Sequence, residues 1–230
     1  DLPDTIDGAP VLGISETELG PQAFALDGVL LVSGPPASGR TNALKALCRA
    51  IARAQPDARQ YYIGNPRSPL VDEVHWVATA VTVEEAQALA KALTAAIGDP
   101  ETEGKIVVVI ESVTDFLQTP ADAAIAELVK AVKRSDHFLL AENETAGWSA
   151  SWGMLSEIKS VRRGLLLQPD YTEGEFILKT PLARASRSEY PPGRGMFIAR
   201  GKAVRVQLPY LAGEPAVAPS EERMGTAPHR

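Results

Sequence analysis

The feature that most constrains this chain is a short glycine-containing loop between an apolar strand pattern and a helical pattern. Residues 30–41 read L-L-V-S-G-P-P-A-S-G-R-T, which has the spacing G-x-x-x-x-G-[K]-[ST] of a phosphate-binding loop, but Arg40 stands where that pattern has lysine. The pattern predicts a strand over 28–33 before the loop and a helix over 42–54 after it. This context favours a phosphate-binding loop over a plain turn.

The chemistry of such a loop comes from its backbone N–H groups and from the positive end of the helix that follows. Arginine is larger than lysine and donates as a planar fork, so it can hold phosphate but not with lysine's geometry. Whether ATP binds tightly therefore stays open at this point. Thr41 keeps the hydroxyl that would ligate Mg²⁺. The predicted nucleotide-binding residues are Gly34, Pro35, Pro36, Ala37, Ser38, Gly39, Arg40, Thr41 and Asn42.

A second motif supplies the other half of a nucleotide site. Residues 105–110 (K-I-V-V-V-I) contain an apolar, β-branched run that predicts a buried parallel strand, and Glu111-Ser112 follow it. Glu111 is our candidate for both the metal-binding and the catalytic carboxylate; the alternative is a carboxylate held at the strand tip for structural reasons. Ser112 cannot polarise water as a second acid would. Together with Arg40, this predicts slow or absent hydrolysis, because phosphoryl transfer depends on positioning and electrostatics, and leaves enzymatic activity open.

Strand patterns alternate with helical patterns along the chain. Thr82 and Glu85 predict a capping box at the start of a helix over 82–97. Residues 195–199 and 203–208 predict a C-terminal β-hairpin. The alternation predicts a three-layer α/β fold with a mostly parallel central sheet, whose ligands bind at the carboxyl ends of strands. Asn143 follows one predicted strand and is either a γ-phosphate sensor or an ordinary loop residue.

Composition narrows the range of partners. The net charge is −6 and the pI about 5.2, so we do not expect DNA as a partner. The sequence has no run of about 18 apolar residues, so we predict no membrane span. Cys48 is interpreted as a core residue. We expect one domain over residues 1–212 and a disordered tail over 213–230, and the start at Asp1 suggests a piece of a longer protein.

Several motifs together resemble the FtsK/SpoIIIE class of P-loop ATPases. They are Val11-Leu12-Gly13-Ile14 with the loop at 34–41, Leu165 to Asp170 (L-L-L-Q-P-D), and Pro191 to Gly195 (P-P-G-R-G) before the hairpin. The resemblance covers about residues 8–210 and is greatest to the last, degenerate ATPase module of type VII secretion ATPases (EccC/EssC-like). It implies a P-loop NTPase fold of RecA/FtsK type that uses ATP and Mg²⁺.

The resemblance also implies partners and a location. Such modules lie in a membrane-anchored chain at the cytoplasmic face of the bacterial membrane, beside other ATPase modules, and the class forms hexamers. The last module is implicated in recognising the C-terminal export signal (Y-x-x-x-D/E) of small helical WXG-type proteins. A helical peptide of this kind would dock in an apolar groove. Candidate groove residues, with core packing as the alternative, are Trp148, Trp152, Met154 and Leu155.

Three functions remain open from the sequence. The first is a nucleotide-binding module with little hydrolysis that recognises a secretion substrate. The second is an active hexameric motor that translocates protein or double-stranded DNA and needs an arginine finger. The third is a scaffold with an empty loop. Candidate arginine fingers are Arg162, Arg163, Arg184 and Arg187.

Overall fold

The structure, a computed structural model, describes residues 2–211. Its strands are β1 (Thr5–Ile6), β2 (Ala9–Ser15), β3 (Pro21–Ala23), β4 (Gly28–Gly34), β5 (Arg59–Ile63), β6 (Ala78–Ala80), β7 (Ile106–Ile110), β8 (Phe138–Glu144), β9 (Gly164–Leu167), β10 (Arg194–Ala199) and β11 (Lys202–Gln207). Its α-helices are α1 (Arg40–Ala54), α2 (Leu70–Glu73), α3 (Val83–Gly98), α4 (Pro120–Lys133), α5 (Gly153–Lys159) and α6 (Glu173–Leu178). Short 3-10 helices span Val113–Phe116, Thr145–Ser149 and Arg187–Glu189.

The strands join into one mixed sheet. Across residues 2–211 the order is β1-β2-β11-β10-β9-β4-β8-β7-β5-β6, with β3 paired to β2. The six strands from β9 to β6 run parallel to one another, and β10 and β11 form an antiparallel hairpin beside β9. The prediction of a three-layer α/β fold with a mostly parallel sheet and a C-terminal hairpin is confirmed.

Local sequence signals explain where the main elements begin. Thr82 accepts a hydrogen bond from the Glu85 backbone N–H, and the Glu85 carboxylate accepts one from the Thr82 N–H, so the predicted capping box is confirmed. Thr119 caps α4 and Pro120 occupies its first turn, where a missing N–H costs nothing. All five residues of β7 are buried, as the apolar run predicts for a central strand.

Alternation along β4 divides the core between the two faces of the sheet. Leu30 and Val32 pack in the layer that contains α1 and α2, whereas Val29 and Leu31 pack in the layer that contains α3, α4 and α5. Cys48 is buried on the α1 side as predicted, and burial raises the pKa of its thiol.

The proposed groove residues divide in the same way. The side chains of Trp148, Met154 and Leu155 are fully buried in the core, whereas Trp152 is 45% exposed. Core packing is therefore the correct interpretation for three of the four residues.

Two predictions concern the ends of the chain and membrane spans. The tail predicted to be disordered, 213–230, lies outside the described residues. Within residues 2–211, no helix has the length and apolar character needed to cross a membrane.

Candidate nucleotide-binding site

The phosphate-binding loop connects β4 to α1 in the predicted strand–loop–helix arrangement. β4 ends at Gly34 and α1 begins at Arg40, two residues before the predicted start. A Cβ on Gly34 would clash with the Ser38 hydroxyl and would lie 3.0 Å from the Leu167 Cβ, so only glycine fits there. Gly39 has a φ of 95°, in the left-handed region that favours glycine. Both glycines are thus required by the shape of the loop.

The C-terminal part of the domain supports the loop from outside. The Gly193 backbone N–H donates to the Ser38 carbonyl at 2.9 Å, which links the Pro-Gly-Arg-Gly turn directly to the loop. The Asn42 side chain donates to the Pro209 carbonyl at 3.0 Å and accepts from the Leu211 N–H at 3.1 Å. Asn42 was predicted to bind nucleotide, and the structure shows that its amide binds the segment that follows the hairpin.

A cavity of about 340 Å³ lies against the loop at the carboxyl ends of β4, β7 and β8. It brings together the two predicted metal-binding residues, Thr41 and Glu111, which are distant in sequence. Gly34, Pro35, Pro36 and Ser38 complete the loop without lining the cavity. The lining residues are Ala37, Gly39, Arg40, Thr41, Asn42, Glu111, Ser112 and Glu142.

An ion pair crosses this cavity. The Arg40 guanidinium donates to the Glu142 carboxylate at 2.5 Å, and its other terminal nitrogen lies 3.9 Å from the Glu144 carboxylate. The Glu142 side chain is only 3% exposed, and that of Arg40 is 21% exposed. A charged pair with so little solvent interacts more strongly than a surface pair. The arginine of the loop is therefore already paired with an acid of the same chain.

Glu142 also binds the residue that follows Glu111. The Ser112 backbone N–H donates to the second Glu142 oxygen at 2.9 Å. Burial raises the pKa of the Glu142 carboxyl above its ordinary value, opposed by the Ser112 hydrogen bond and by Arg40. Ser112 itself adopts a left-handed backbone with a φ of 53°, and its side chain carries no acid. Glu142 thus connects the loop to the end of β7.

Glu111 is held by a buried tyrosine. The Tyr62 hydroxyl donates a short hydrogen bond to the Glu111 carboxylate, and Glu111 is 8% exposed. Burial, followed by the hydrogen bond and charge of Glu111, raises the pKa of the Tyr62 phenol. Tyr62 therefore stays a neutral donor that orients the carboxylate at the cavity wall.

Glu142 lines the cavity and pairs with Arg40, and the sequence patterns did not single it out. Because side chains alternate along a strand, Glu142 and Glu144 lie on the α1 side of β8 and Asn143 lies on the other side. Asn143 is buried and accepts from the Thr114 hydroxyl at 2.9 Å, outside the cavity. In the sequence, Glu142 directly follows the strand predicted over 138–141 and stands two positions before Glu144. That Arg40 is its partner follows only from the pairing of β4 with β8.

The residues present fit a magnesium nucleotide with one conflict. A hydroxyl from Thr41 and a carboxylate from Glu111 are oxygen ligands of the kind that Mg²⁺ takes, alongside phosphate and water. No group of three or more His, Cys, Asp or Glu residues in positions 2–211 is arranged to hold a metal ion by itself. The conflict is Glu142, a buried carboxylate beside the place where phosphate charge would lie.

Comparison with known proteins identifies the fold. No protein-family model matches this chain, and no curated protein sequence matches it. The cytoplasmic domain of the Thermomonospora curvata type VII secretion ATPase EccC matches with a TM-score of 0.71 and 21% identity, over 90% of this chain and 26% of that chain. EccC ATPases 2 and 3 in complex with a signal sequence peptide give 0.72 and 22%, over 90% and 41%.

A third solved structure agrees. ATPases 2 and 3 of EssC from Geobacillus thermodenitrificans match with a TM-score of 0.71 and 18% identity, over 88% of this chain and 41% of that chain. The chain thus has the fold of the ATPase modules of type VII secretion ATPases, as the sequence motifs predicted. It spans between 26% and 41% of the length of these solved chains.

Proposed function

We propose that residues 1–212 form an ATP-binding module of a type VII secretion ATPase that hydrolyses ATP slowly or not at all. We propose further that this module recognises the C-terminal export signal of small helical WXG-type proteins. The observation that carries the first part is the ion pair between Arg40 and Glu142 inside the phosphate site. The neighbouring signal-peptide complex of EccC supports the second part.

The ion pair weakens nucleotide binding in two ways. Arg40 must give up its hydrogen bond to the Glu142 carboxylate before it can bind phosphate. The net gain in free energy from the contact with ATP is therefore small. Glu142 also repels the incoming phosphate. Two unit charges about 5 Å apart interact by roughly 3 kcal/mol at an effective dielectric constant of about 20. A weak but measurable affinity for ATP follows.

Slow hydrolysis follows from the end of β7. Glu111 can hold Mg²⁺ together with Thr41, and the ion when bound would neutralise phosphate charge. The next residue, Ser112, offers no carboxylate to orient an attacking water, and its N–H is bound by Glu142. The loop from Gly34 to Asn42 would hold the phosphates through its backbone N–H groups. The site is therefore suited to binding more than to turnover.

Signal recognition is supported by three exposed aromatic residues, which we call the aromatic surface: Trp152 directly before α5, Tyr171 before α6, and Phe176 in α6. Trp152, Tyr171 and Phe176 are each between 45% and 47% exposed. The Lys159 ammonium lies 5.3 Å from the centre of the Phe176 ring and is held by the Trp148 carbonyl, so Phe176 lies close to the segment that leads to Trp152. Half-exposed aromatic side chains are typical anchors for an amphipathic helical peptide.

The setting of the module is proposed from its solved relatives. We place it beside other ATPase modules of a longer chain, at the cytoplasmic face of the bacterial membrane, with a homo-hexamer as the assembly to test. EccC and EssC structures that contain ATPases 2 and 3 together support the first of these statements. The position as the last module of such a chain is also a proposal.

The alternative function is an active hexameric motor that translocates protein or double-stranded DNA. One observation favours it: Glu142 supplies a carboxylate beside Ser112 that, released from Arg40, could orient water. A motor also needs an arginine that reaches a neighbouring subunit. Within residues 2–211, Arg163 is held by Asp27 and Arg187 by Glu173. The Arg184 guanidinium lies 5.7 Å from the centre of the Tyr171 ring, which leaves Arg162 of the original candidates.

The test is a calorimetric titration of the purified chain with ATP·Mg²⁺, with hydrolysis measured in the same sample. Binding without turnover supports the proposal, and turnover well above background supports the motor. Absence of ATP binding would instead support the third function, a scaffold with an empty loop. A C-terminal export-signal peptide is then titrated against the wild type and against Trp152→Ala/Phe176→Ala. Equal affinity for both would contradict recognition by the aromatic surface.

A further inference from the structure

A second, larger cavity lies at the opposite edge of the sheet from the phosphate-binding loop. It has a volume of about 680 Å³ and is bordered by the segment between β3 and β4, the loop before β9 and the turn between β10 and β11. β4 runs from this edge, at Gly28, to the loop edge, at Gly34, which separates the two cavities by roughly 20 Å. We call this cavity the arginine cleft because Arg162, Arg163 and Arg200 line it.

Of these three arginines, only Arg163 is bound by other groups within residues 2–211. Arg163 donates to the Asp27 carbonyl at 2.7 Å, to the Asp27 carboxylate at 3.3 Å and to the Ala25 carbonyl. Arg162 and Arg200 are exposed, and no acceptor within residues 2–211 binds either guanidinium. Burial lowers the pKa of Arg163, the charge and hydrogen bond of Asp27 oppose this shift, and the nearby charge of Arg200 adds to it, so Arg200 lies close to Arg163. Two cations at the rim are thus available to a ligand.

Arg162 and Arg200 both have a left-handed backbone conformation. Arg162 has a φ of 51° in the turn before β9, and Arg200 has a φ of 52° beside Gly201 in the tight turn of the hairpin. Two adjacent positive φ angles, those of Arg200 and Gly201, are characteristic of the type I′ turn that closes a two-residue hairpin. The strand hairpin and the start of β9 therefore set where the two arginine backbones lie at the cleft rim.

Three features of the cleft favour an acidic peptide segment over a nucleic acid or a single small anion. The volume of the cleft exceeds that of a single small anion and lies in the range of sites for larger ligands. The aromatic side chains at its base, Phe24 and Phe197, are 2% and 5% exposed, so neither offers a face on which a nucleic-acid base could stack. The net charge of −6 also repels a polyanion, whereas a segment with two acids meets mainly the local arginines.

We propose that the arginine cleft binds a short acidic segment of a partner protein, with its carboxylates paired to Arg162 and Arg200. The arginine cleft is separate from both the phosphate-binding loop and the aromatic surface. Peptide binding in the cleft is therefore independent of whether the chain binds nucleotide or the export signal, and different variants test it.

The probe is a fluorescein-labelled peptide of about ten residues, with Glu-Leu-Glu at the centre of a Gly/Ser sequence, and a matched Gln-Leu-Gln peptide. Fluorescence anisotropy with the whole chain should show binding of the acidic peptide that weakens as salt is added, and at least about fivefold weaker binding of the neutral one. Arg162→Gln/Arg200→Gln should bind the acidic peptide about fivefold to tenfold more weakly. Arg134→Gln, an exposed arginine that lines neither cavity, should bind it as the wild type does.

A charge-reversal variant tests whether weaker peptide binding is caused by misfolding. Arg162→Glu/Arg200→Glu should lose the Glu-Leu-Glu peptide and bind a Lys-Leu-Lys peptide instead. Equal affinity of the wild type for the acidic and neutral peptides would overturn the proposal, as would an unchanged affinity in the double glutamine variant. Tighter binding of a single-stranded oligonucleotide, lost in the same double variant, would overturn it in favour of a nucleic-acid site.

Discussion

The two edges of the parallel sheet both present arginines, and they differ in what those arginines bind. At the carboxyl edge, Arg40 is paired with the buried Glu142 inside the cavity that phosphate would enter. At the amino edge, Arg162 and Arg200 line a larger cavity, with no carboxylate bound to either among residues 2–211. Among the described residues, the arginine at one edge is paired with a buried acid, and two arginines at the other edge have no such partner.

The largest effect should come from breaking the shape of the loop edge. Gly34→Ala places a Cβ against Ser38 and 3.0 Å from the Leu167 Cβ, so we expect a loss of about 1–3 kcal/mol in the free energy of unfolding. Urea denaturation measures it. Gly98→Ala at the end of α3 is the control, because no atom lies within 4 Å of the added methyl group and alanine favours the helix. A loss of less than about 0.5 kcal/mol in Gly34→Ala would show that the loop adapts.

Neutralising a charge should cost more in a buried ion pair than at the unpaired arginines of the cleft. Lys45 in α1 is buried and pairs with Glu73 at 2.5 Å, so Glu73→Gln leaves a buried ammonium with a weaker partner. We expect a loss of about 1–2 kcal/mol, below the range for fully buried pairs because Glu73 is 34% exposed. Arg162→Gln/Arg200→Gln should change stability by less than about 0.5 kcal/mol. Equal losses in the free energy of unfolding of both variants would contradict the claim that the buried ion pair contributes more to stability than the unpaired arginines.

The pH dependence of stability should report the buried Glu142. Its pKa is raised in the folded state, so between the ordinary carboxyl pKa and the raised value the folded chain holds a proton that the unfolded chain has released. The free energy of unfolding of the wild type, relative to Glu142→Gln, should therefore fall as pH rises from about 4.5 through this window and then level off. Urea denaturation at several pH values tests the sign. A relative stability that rises over the same range would mean that Arg40 outweighs burial.

The smallest effect should come from His137 at the amino end of β8. Its Nδ1 accepts from the Ile106 N–H at 3.1 Å, and burial lowers its pKa below the ordinary 6.5. A lowered pKa means that stability is full above 6.5 and is lost as pH falls through the folded value. Comparison of denaturation curves between pH 7 and 5 should show this slope in the wild type. His137→Asn keeps an acceptor for the Ile106 N–H but has no titrating ring, so this slope should be absent in the variant. An unchanged slope would mean that other groups cause the pH dependence.

The fold and the site differ in how far they follow from the sequence. The loop at 34–41, the capping box at Thr82 and the C-terminal hairpin were predicted because each is a local pattern with a local cause. The pairing of Arg40 with Glu142 depends on β4 lying beside β8 in one register, which is a contact between residues far apart in the chain. Local patterns carry no information on that register, so the residue that decides the chemistry of the loop was missed.

The exposed surfaces show the same division. Trp148 and Trp152 have similar sequence surroundings, yet the first is fully buried and the second is half-exposed. The difference follows from the 3-10 helix that contains Trp148 and from the start of α5 after Trp152, neither of which the periodicity indicated. The arginine cleft joins three segments that are distant in sequence, so no motif could have predicted it.

The most direct test of the central claim compares the affinity for ATP·Mg²⁺ of the wild type and Glu142→Gln by calorimetry. The substitution frees Arg40 and removes a negative charge from the cavity, so the account predicts at least about tenfold tighter binding. Glu144→Gln is the control: its carboxylate is 48% exposed and 3.9 Å from Arg40, so the affinity should change by less than about threefold. Equal affinity of the wild type and Glu142→Gln would contradict the claim that the ion pair between Glu142 and Arg40 weakens nucleotide binding.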